Sequence, residues 1–318
     1  MEILIQNLIF AFKTIAPVFL ILFLGIFLKQ INIIDAPFIS TSSKLVFNVA
    51  LPVFLFMKLS STNFAVSFDL NLIGYIYSGI LASYLLTWLI ASKFIKEKKD
   101  LGSFVQGAFR SNFAIVGLAV IYSVFGDEGL TKGSIVLALI VPILNLLSII
   151  TLEINSSGKL KINYKEILLK LARNPLLISV IIATPFSLFK IKIHETLIET
   201  GDYISAITLP LALIGIGGSL NLKSFKQASK LAFAASSVKI IFIPLIFTIA
   251  ACYLNFSNIN LGIIFIFFAC PTAIVSYIMA DAMGCNSKLA GNIIVISTTI
   301  SVLTISIGIF ILKIYNLI

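Results

Sequence analysis

The sequence predicts an all-α integral membrane protein of ten transmembrane helices, built as two inverted repeats of five helices. The 318 residues are 59% hydrophobic and only 11% charged, whereas soluble domains carry roughly 25% charged residues. Several apolar stretches exceed ~18 residues, the length at which a helix can cross a bilayer. Matching residues also recur at one fixed separation along the chain, which indicates an internal repeat.

Apolar windows delimit ten spans joined by short polar connections, the longest of them near residues 154–170. The predicted spans are 8–28, 39–60, 71–92, 102–125, 133–154, 171–189, 201–220, 228–250, 260–283 and 290–314. No connection is long enough to form a soluble domain. Residues 1–318 are therefore expected to form a single transmembrane domain with both termini on one side.

The distribution of lysine and arginine predicts the orientation. With the N-terminus outside, the inner connections hold 15 of these residues and the outer segments hold six, and cytoplasmic loops carry such an excess. Both termini are therefore expected outside, and the multi-pass chain is expected in the plasma membrane. These loops also account for the net charge of +10, so nucleic-acid binding is not predicted.

The repeat is defined by residues that lie 158 positions apart. They are Leu51-Pro52 with Leu209-Pro210, Pro17 with Pro175, Gly126 with Gly284, and Gly133 with Gly291. Repeat one is assigned to residues 8–154 and repeat two to residues 171–314. Because five is an odd number of spans, the two halves must face opposite ways, as in many secondary transporters.

The fourth and ninth spans are predicted to be broken and to cross. Pro271 lies in the middle of the ninth span, where proline removes one backbone N–H and displaces the carbonyl of Phe267. At the repeat offset, Pro271 corresponds to Phe113, which follows Arg110-Ser111-Asn112 in the fourth span. Freed backbone groups cannot face lipid, so crossed half-helices beside a cavity would satisfy them. An ordinary proline kink is the alternative for Pro271.

Two cations are expected inside the membrane, and they make the internal charge positive. Arg110 lies about one turn from the centre of the fourth span, and Lys239 lies at the centre of the eighth. The only clear acid within the spans is Asp281. A positive, partly hydrated cavity suits a carboxylate, which arginine can bind with two hydrogen bonds. The alternative is a fixed Arg110–Asp281 pair, with Lys239 bonded to backbone carbonyls.

Other polar residues within the spans are weaker candidates. Asn48 and Asn145 are secondary polar positions in the second and fifth spans, and such side chains often hold helices together. The sequence contains no Ser/His/Asp arrangement and no metal-ligand spacing. We therefore expect no enzyme activity, no cofactor and no bound metal.

Several short motifs resemble the auxin efflux carrier family, over nearly the whole chain. They are Arg110-Ser111-Asn112-Phe113, Gly117-Leu118, Phe125-Gly126-Asp127-Glu128, Leu45-Val46-Phe47-Asn48 with Leu51-Pro52, Val141-Pro142-Ile143-Leu144-Asn145, Asn174-Pro175, Thr208-Leu209-Pro210-Leu211, and Ser287-Lys288-Leu289-Ala290-Gly291 with Ser297-Thr298-Thr299. The resemblance implies a ten-helix, two-repeat transporter with crossed fourth and ninth helices, similar in fold to bile acid sodium symporters. Plant members move auxin, and bacterial members are assigned to malate, malonate and related acids.

The resemblance places site positions at Arg110, Asn112 and Pro271. Many relatives have proline where this chain has Ala119, which puts the break in the fourth span in doubt. The sodium sites of the bile acid branch need an acidic residue near the crossing. Here the region holds Cys270, Thr272 and Ser276, so sodium coupling is not carried over and a proton is the favoured coupling ion.

Together these features predict a secondary active transporter, a permease or efflux carrier of small organic anions that works by alternating access. The expected substrate-binding residues are Arg110, Ser111, Asn112, Gly117, Lys239, Pro271 and Thr272. Asp281 is the candidate proton carrier. The expected partners are a small carboxylate and the lipid bilayer, and a homodimer is left open. An anion channel and a non-transporting membrane sensor are the alternatives.

Overall fold

A computed structural model of the chain describes residues 2–61, 68–156, 173–220 and 228–318. Within these ranges the elements are helical apart from one isolated antiparallel bridge. The helices are α1 (Glu2–Gln30), α2 (Ala36–Leu45), α3 (Leu51–Ser60), α4 (Leu70–Phe94), α5 (Lys98–Phe109), α6 (Leu118–Asn155), α7 (Pro175–Leu188), α8 (Glu195–Ser219), α9 (Lys230–Ser237), α10 (Ile243–Tyr253), α11 (Asn258–Ala269), α12 (Val275–Ala282) and α13 (Ser287–Ile314). There are also three single π-helical turns. Val46–Ala50 joins α2 to α3, Phe113–Gly117 directly precedes α6, and Val238–Phe242 joins α9 to α10.

Two features of the sequence interpretation lie outside the described residues. They are the first two residues of the predicted sixth span, 171 and 172, and six of the lysines that predict the orientation, namely Lys159, Lys161, Lys165, Lys170, Lys223 and Lys226.

Seven helical stretches among the described residues are long and apolar enough to cross a membrane. They are Lys13–Gln30, Ala36–Ser60, Leu70–Phe94, Phe113–Asn155, Glu195–Ser219, Lys230–Tyr253 and Ser287–Ile314. The helices α7 and α11 are apolar but shorter. The all-α membrane class is thus confirmed. The predicted spans fall mainly on helical residues, but the first and seventh were predicted to start at 8 and 201, six residues after the starts of α1 and α8.

The outward faces of the helices are suited to lipid. On α4, Leu81, Leu85 and Leu89 are exposed at helical spacing, whereas Ile76 and Ile80 on the other side are buried. A row of exposed leucines along one helix would be costly in water but is the expected surface inside a bilayer. The apolar periodicity of α4 therefore separates a lipid face from a protein face.

The helices form two groups. In the first group α1 packs mainly on α8, and α3 packs mainly on α7. A Cβ at Gly25 would collide with the backbone of Ile214, and one at Gly217 would collide with the backbone of Leu22. These glycines therefore let α1 and α8 approach at backbone distance, which makes the first group a tightly packed unit.

The second group contains the broken helices. Here α5 packs between α4 and α6, α10 packs on α11, and both α9 and α12 pack on α13. The two groups meet along a seam where α1 contacts α13 and α6, and where α3 contacts α6. The two buried cations discussed below, Arg110 and Lys239, both lie in the second group.

Glycine turns at Gly126 and Gly284 bound the broken segments. Gly126 has φ 61° and Gly284 has φ 73°, a left-handed conformation that favours glycine. Within α6, a Cβ at Gly133 would contact Leu118 and Ile121, which requires the chain to reverse at Gly126. The two turns are 158 positions apart, as the sequence predicts.

The crossing departs from the predicted separation of 158 positions. The bridge at the crossing joins Ser111 to Thr272, which are 161 positions apart. The segment from Ser111 to Gly126 is thus three residues longer than the segment from Thr272 to Gly284. The π-helical turn at Phe113–Gly117 takes up part of this excess, because a π turn holds an additional residue.

Candidate functional site

Two helices are interrupted, and they cross where they are interrupted. α5 ends at Phe109 and helical structure resumes at Phe113, while α11 ends at Ala269 and α12 begins at Val275. The fourth span is therefore broken, although Ala119 and not proline follows Gly117-Leu118.

The crossing is a short antiparallel pairing of the two interrupted segments. The N–H of Asn112 donates to the carbonyl of Pro271 at 2.8 Å, and the N–H of Ala273 donates to the carbonyl of Arg110 at 3.3 Å. The predicted crossing is confirmed, but its centre is the pair Ser111–Thr272. The expected pairing of Phe113 with Pro271 is wrong because Phe113 is already helical.

Two hydroxyl groups satisfy carbonyls that the breaks release. Oγ of Ser111 donates to the carbonyl of Phe267 at 2.7 Å, and Oγ1 of Thr272 donates to the carbonyl of Gly107 at 2.6 Å. Each hydroxyl belongs to one broken helix and binds the end of the other. Backbone groups inside a membrane need such partners, so these two side chains hold the crossing together.

We expect Thr272→Val to destabilise the protein by about 1–3 kcal/mol, because the buried carbonyl of Gly107 loses its partner. Thr184→Val is the matched control, since Oγ1 of Thr184 binds only the carbonyl of Val180 in its own helix. Thermal unfolding of the purified protein in detergent measures both. Equal shifts in the two variants would contradict the proposed structural role of Thr272.

Lys239 is buried beside the crossing. It is 1% exposed, lies in the π-helical turn between α9 and α10, and its Nζ donates to the carbonyl of Phe268 at 2.7 Å. This carbonyl lies in the last turn of α11, where the helix dipole places partial negative charge. The arrangement matches the alternative in which Lys239 bonds a backbone carbonyl, and it places a positive charge at the break.

Arg110 follows α5 directly and is 6% exposed. Its Nη1 donates to Oγ of Ser148 at 2.6 Å, and its Nη2 donates to Oδ1 of Asn145 at 2.6 Å. A longer bond of 3.5 Å reaches the carbonyl of Leu144. All three acceptors belong to α6 and all are neutral. Asn145, a secondary position in the sequence interpretation, is thus a direct partner of the guanidinium.

Asp281 does not pair with Arg110. It is exposed on α12, two positions after Met279, which contacts Arg110, and two positions correspond to about 200° around a helix. The ion pairs found among the described residues are Lys58–Asp127 and Lys132–Glu128. The alternative of a fixed Arg110–Asp281 pair is therefore wrong, and within the described part of the chain neither internal cation has an acidic partner.

Three of the remaining predicted site residues lie at or next to the crossing, and one lies away from it. The side chain of Asn112 is buried, and its Nδ2 has no hydrogen-bond partner among the described residues. Gly117 lies against the ring of Phe113, where a Cβ would collide, and Pro271 is buried at the crossing. Asn48 is exposed, and its side chain donates to the carbonyl of Lys44 in its own helix at 2.9 Å. Asn48 is thus not brought to the site.

The structure adds residues that sequence reasoning did not include. Ser148 and Met279 contact Arg110, and Gln106 lies one turn before it on α5. The spacing of Asn145 and Ser148, three positions apart on one helix, could have indicated a shared polar face. Nothing in the sequence indicates the contact of Met279, because it depends on how α12 packs.

A cleft of about 310 Å³ lies at the seam between the two helix groups. It is lined by Leu22, Phe23, Ile26, Phe27, Gln30, Leu220, Thr298, Thr299 and Val302. Thr298 is 1% exposed, and its hydroxyl has no hydrogen-bond partner in the described ranges of the chain. The neighbouring Ser297 accepts the N–H of Thr272 at 3.1 Å. The cleft therefore reaches Thr298, whose neighbour Ser297 is hydrogen-bonded to the crossing.

Comparison with known proteins supports a transport role for this architecture. The chain is 23% identical over 297 residues to an uncharacterized transporter of Methanocaldococcus jannaschii, covering 91% of this chain and 94% of the relative. It is 24% identical over 262 residues to the uncharacterized transporter YfdV of Escherichia coli, covering 78% of this chain and 81% of that protein.

The family described as membrane transport protein matches residues 10–309, nearly the whole chain. Its members include the auxin efflux carriers that the motifs at Arg110-Ser111-Asn112-Phe113 and elsewhere resemble. By the extent of this match, together with a broken and crossed helix pair in an apolar helical fold, the chain belongs to the membrane transport protein family.

Proposed function

We propose that the protein is a secondary active transporter that moves small organic anions, such as malate, malonate or auxin-like carboxylates, by alternating access. The observation that carries this proposal is the presence of two buried cations, Arg110 and Lys239, that bind only neutral groups in the described structure. An unpaired buried charge is costly, and an anionic ligand would offset that cost.

Arg110 is the proposed anchor of the anion. A guanidinium group has five N–H donors, and the bonds to Ser148 and Asn145 fix its plane. Donors that remain can bind a carboxylate. The unpartnered Nδ2 of Asn112 is a further donor beside the crossing. Lys239 acts on the ligand through its charge, because its Nζ is bonded to the carbonyl of Phe268.

The proposed membrane topology is ten crossings in two inverted repeats. Counting the broken helices once each, and dividing α6 at Gly126, the described helices fall into ten segments. The glycine turns 158 positions apart and the reciprocal hydrogen bonds of the Ser111–Thr272 bridge support a twofold relation between the halves. We place both termini outside and the protein in the plasma membrane, on the distribution of lysine and arginine.

The seam between the helix groups is the proposed line of movement. The ion pair between Lys58 of α3 and Asp127 of α6 joins the groups at the end of the molecule near Gly126. The 310 Å³ cleft lies toward the opposite end, because it is lined by the last turns of α1 and by Leu220, which directly follows α8. A seam closed at one end and open at the other is the arrangement that alternating access requires.

We expect a reversible cross-link between the groups to stop transport without abolishing ligand binding. Lys58→Cys with Asp127→Cys, in a Cys252→Ser background, is treated with a short bis-methanethiosulfonate reagent and then with dithiothreitol. Glu128→Cys with Lys132→Cys is the control, because that ion pair lies within α6 and does not cross the seam. Undiminished malonate uptake by the cross-linked protein would contradict movement along this seam.

The coupling ion and oligomeric state complete the proposal. We favour a proton over sodium, with Asp281 as the proton carrier acting from the exposed face of α12, and we consider a homodimer as the assembly. Asp281→Asn should then remove the stimulation of uptake by an imposed pH gradient. Stimulation that persists in this variant would exclude Asp281 as the carrier.

Counterflow in proteoliposomes tests the function itself. Vesicles containing purified protein are loaded with unlabelled malate or malonate, and accumulation of the labelled acid from dilute external solution is followed over time. A carrier produces a transient accumulation above the external concentration, whereas a channel does not. Uptake without this overshoot would support an anion channel, and the absence of both uptake and ligand-induced thermal stabilisation would favour a membrane sensor.

A further inference from the structure

Met279 covers the charged end of Arg110. Its sulfur lies 3.3 Å from Nη1 of Arg110 and 3.7 Å from Nε2 of Gln106. Arg110 and Gln106 lie one turn apart at the end of α5, whereas Met279 comes from α12, the second half of the other broken helix. Gln106 is fully buried and Arg110 is 6% exposed, but Met279 is partly exposed. Met279 therefore separates the guanidinium from the space outside the helices.

The sulfur is the weakest partner that Arg110 has. A thioether is a poor hydrogen-bond acceptor, whereas a carboxylate forms a charge-assisted bond that is roughly twice as strong as a neutral one. The two short bonds of Arg110 go to oxygens of α6 at 2.6 Å. An incoming anion would thus replace the sulfur and leave the bonds to α6 intact.

Two buried side-chain oxygens of residues close to Met279 make no hydrogen bond to the described residues. Oε1 of Gln106 and Oγ of Ser276 are buried and have no partners within the described structure. Ser276 precedes Met279 by three positions on α12, so both lie on one side of that helix. Methionine is unbranched and has three rotatable bonds, so its side chain can leave Arg110 without any movement of α12.

We propose that Met279 is a latch over the anion site, whose thioether occupies the position of a ligand oxygen on Arg110 and is displaced by the ligand. Met279 is then a specificity-determining residue, because every ligand must replace its contact. The identity of the ligand as an anion rests on the proposed function. The covering role of Met279 rests only on its contacts with Arg110 and Gln106.

Chemical labelling tests the covering role without any ligand. Phenylglyoxal modifies accessible arginine side chains, and this chain contains two, Arg110 and the exposed Arg173. The modification of each is followed by mass spectrometry in the purified full-length protein. Met279→Ala should accelerate labelling of Arg110 severalfold and leave Arg173 unchanged. If that variant aggregates, Met279→Val takes its place, since it also shortens the side chain.

Met283→Ala is the matched control for labelling. Met283 is partly buried and packs against the same small buried cluster as Met279, but it is not among the hydrogen-bond partners of Arg110 in the described structure. Its variant should label as the wild type does. Equal Arg110 labelling rates in the wild type, the Met279 variant and the Met283 variant would overturn the latch, whatever the protein transports.

Malonate binding tests the second part of the proposal. Met279→Leu keeps the volume but removes the acceptor, so the apparent Kd for malonate should fall about tenfold, the factor that corresponds to 1.4 kcal/mol. Met279→Gln supplies a stronger acceptor to Arg110 and should raise the Kd. Unchanged affinity in both variants would overturn the latch. If neither the wild type nor any variant binds malonate or malate, the anion function fails and the labelling result alone decides on the latch.

Discussion

Arg110→Ala should lower the uptake of labelled malonate or malate about tenfold to a hundredfold, because hydrogen bonds to charged groups contribute about 1.5–3 kcal/mol and each 1.4 kcal/mol is a factor of ten. Arg110 directly precedes the bridge residue Ser111, and its guanidinium donates to side-chain oxygens of Ser148 and Asn145 on α6. Its loss removes the proposed anchor and leaves Oδ1 of Asn145 without its donor. Initial uptake rates in proteoliposomes of equal protein content measure the effect.

Arg110→Lys separates charge from geometry. Lysine keeps the positive charge, but its compact ammonium cannot reproduce the planar fork that binds Ser148 and Asn145 together. We therefore expect intermediate uptake from this variant. Arg173→Ala is the control, since Arg173 is exposed and outside the site. Uptake by Arg110→Ala at the wild-type rate would remove Arg110 from the site and, with it, the main support for an anionic substrate.

The broken helices could be predicted from the sequence because their cause is local. Pro271 cannot continue the hydrogen-bond ladder, and the run Arg110-Ser111-Asn112 places three polar side chains in an apolar span. The position of the crossing could not be predicted to the residue. The π-helical turn at Phe113–Gly117 shifts the register of the first half, and a π turn of apolar residues has the same hydropathy as an α-helical turn.

The hydrogen-bond partners of Arg110 were harder to predict from the sequence than the break in the fourth span. A fixed pair with Asp281 was the alternative that the sequence offered, because Asp281 is the only clear acid within the spans, but the rotation of α12 about its axis turns this acid outward. That rotation is set by tertiary packing, which the sequence does not display. Asn145 and Ser148 lie on one face of α6, and a polar face on an apolar helix is visible in the sequence. The polar face of α6 was therefore a better indication of the partners of Arg110 than the charge of Asp281.

Lys239→Met should lower the affinity for malonate by about tenfold to thirtyfold while the protein still folds. In general, opposite unit charges separated by about 8 Å interact with about 2 kcal/mol at an effective dielectric constant of about 20. Methionine has a similar length and fills the space of a side chain that is 1% exposed. It removes both the charge and the bond to the carbonyl of Phe268. Isothermal titration with malonate and thermal unfolding measure the two consequences separately.

A second variant distinguishes the field of Lys239 from its structural role. Lys239→Gln offers a neutral donor to the carbonyl of Phe268, so it should recover part of the stability lost in Lys239→Met but not the affinity. Lys230→Met is the matched control, because Lys230 is an exposed lysine at the start of α9. If Lys239→Met and Lys239→Gln both bind malonate as the wild type does, Lys239 serves only to cap α11. The positive field at the crossing would then come from Arg110 alone, and a ligand with a single carboxylate would be the better fit to the site.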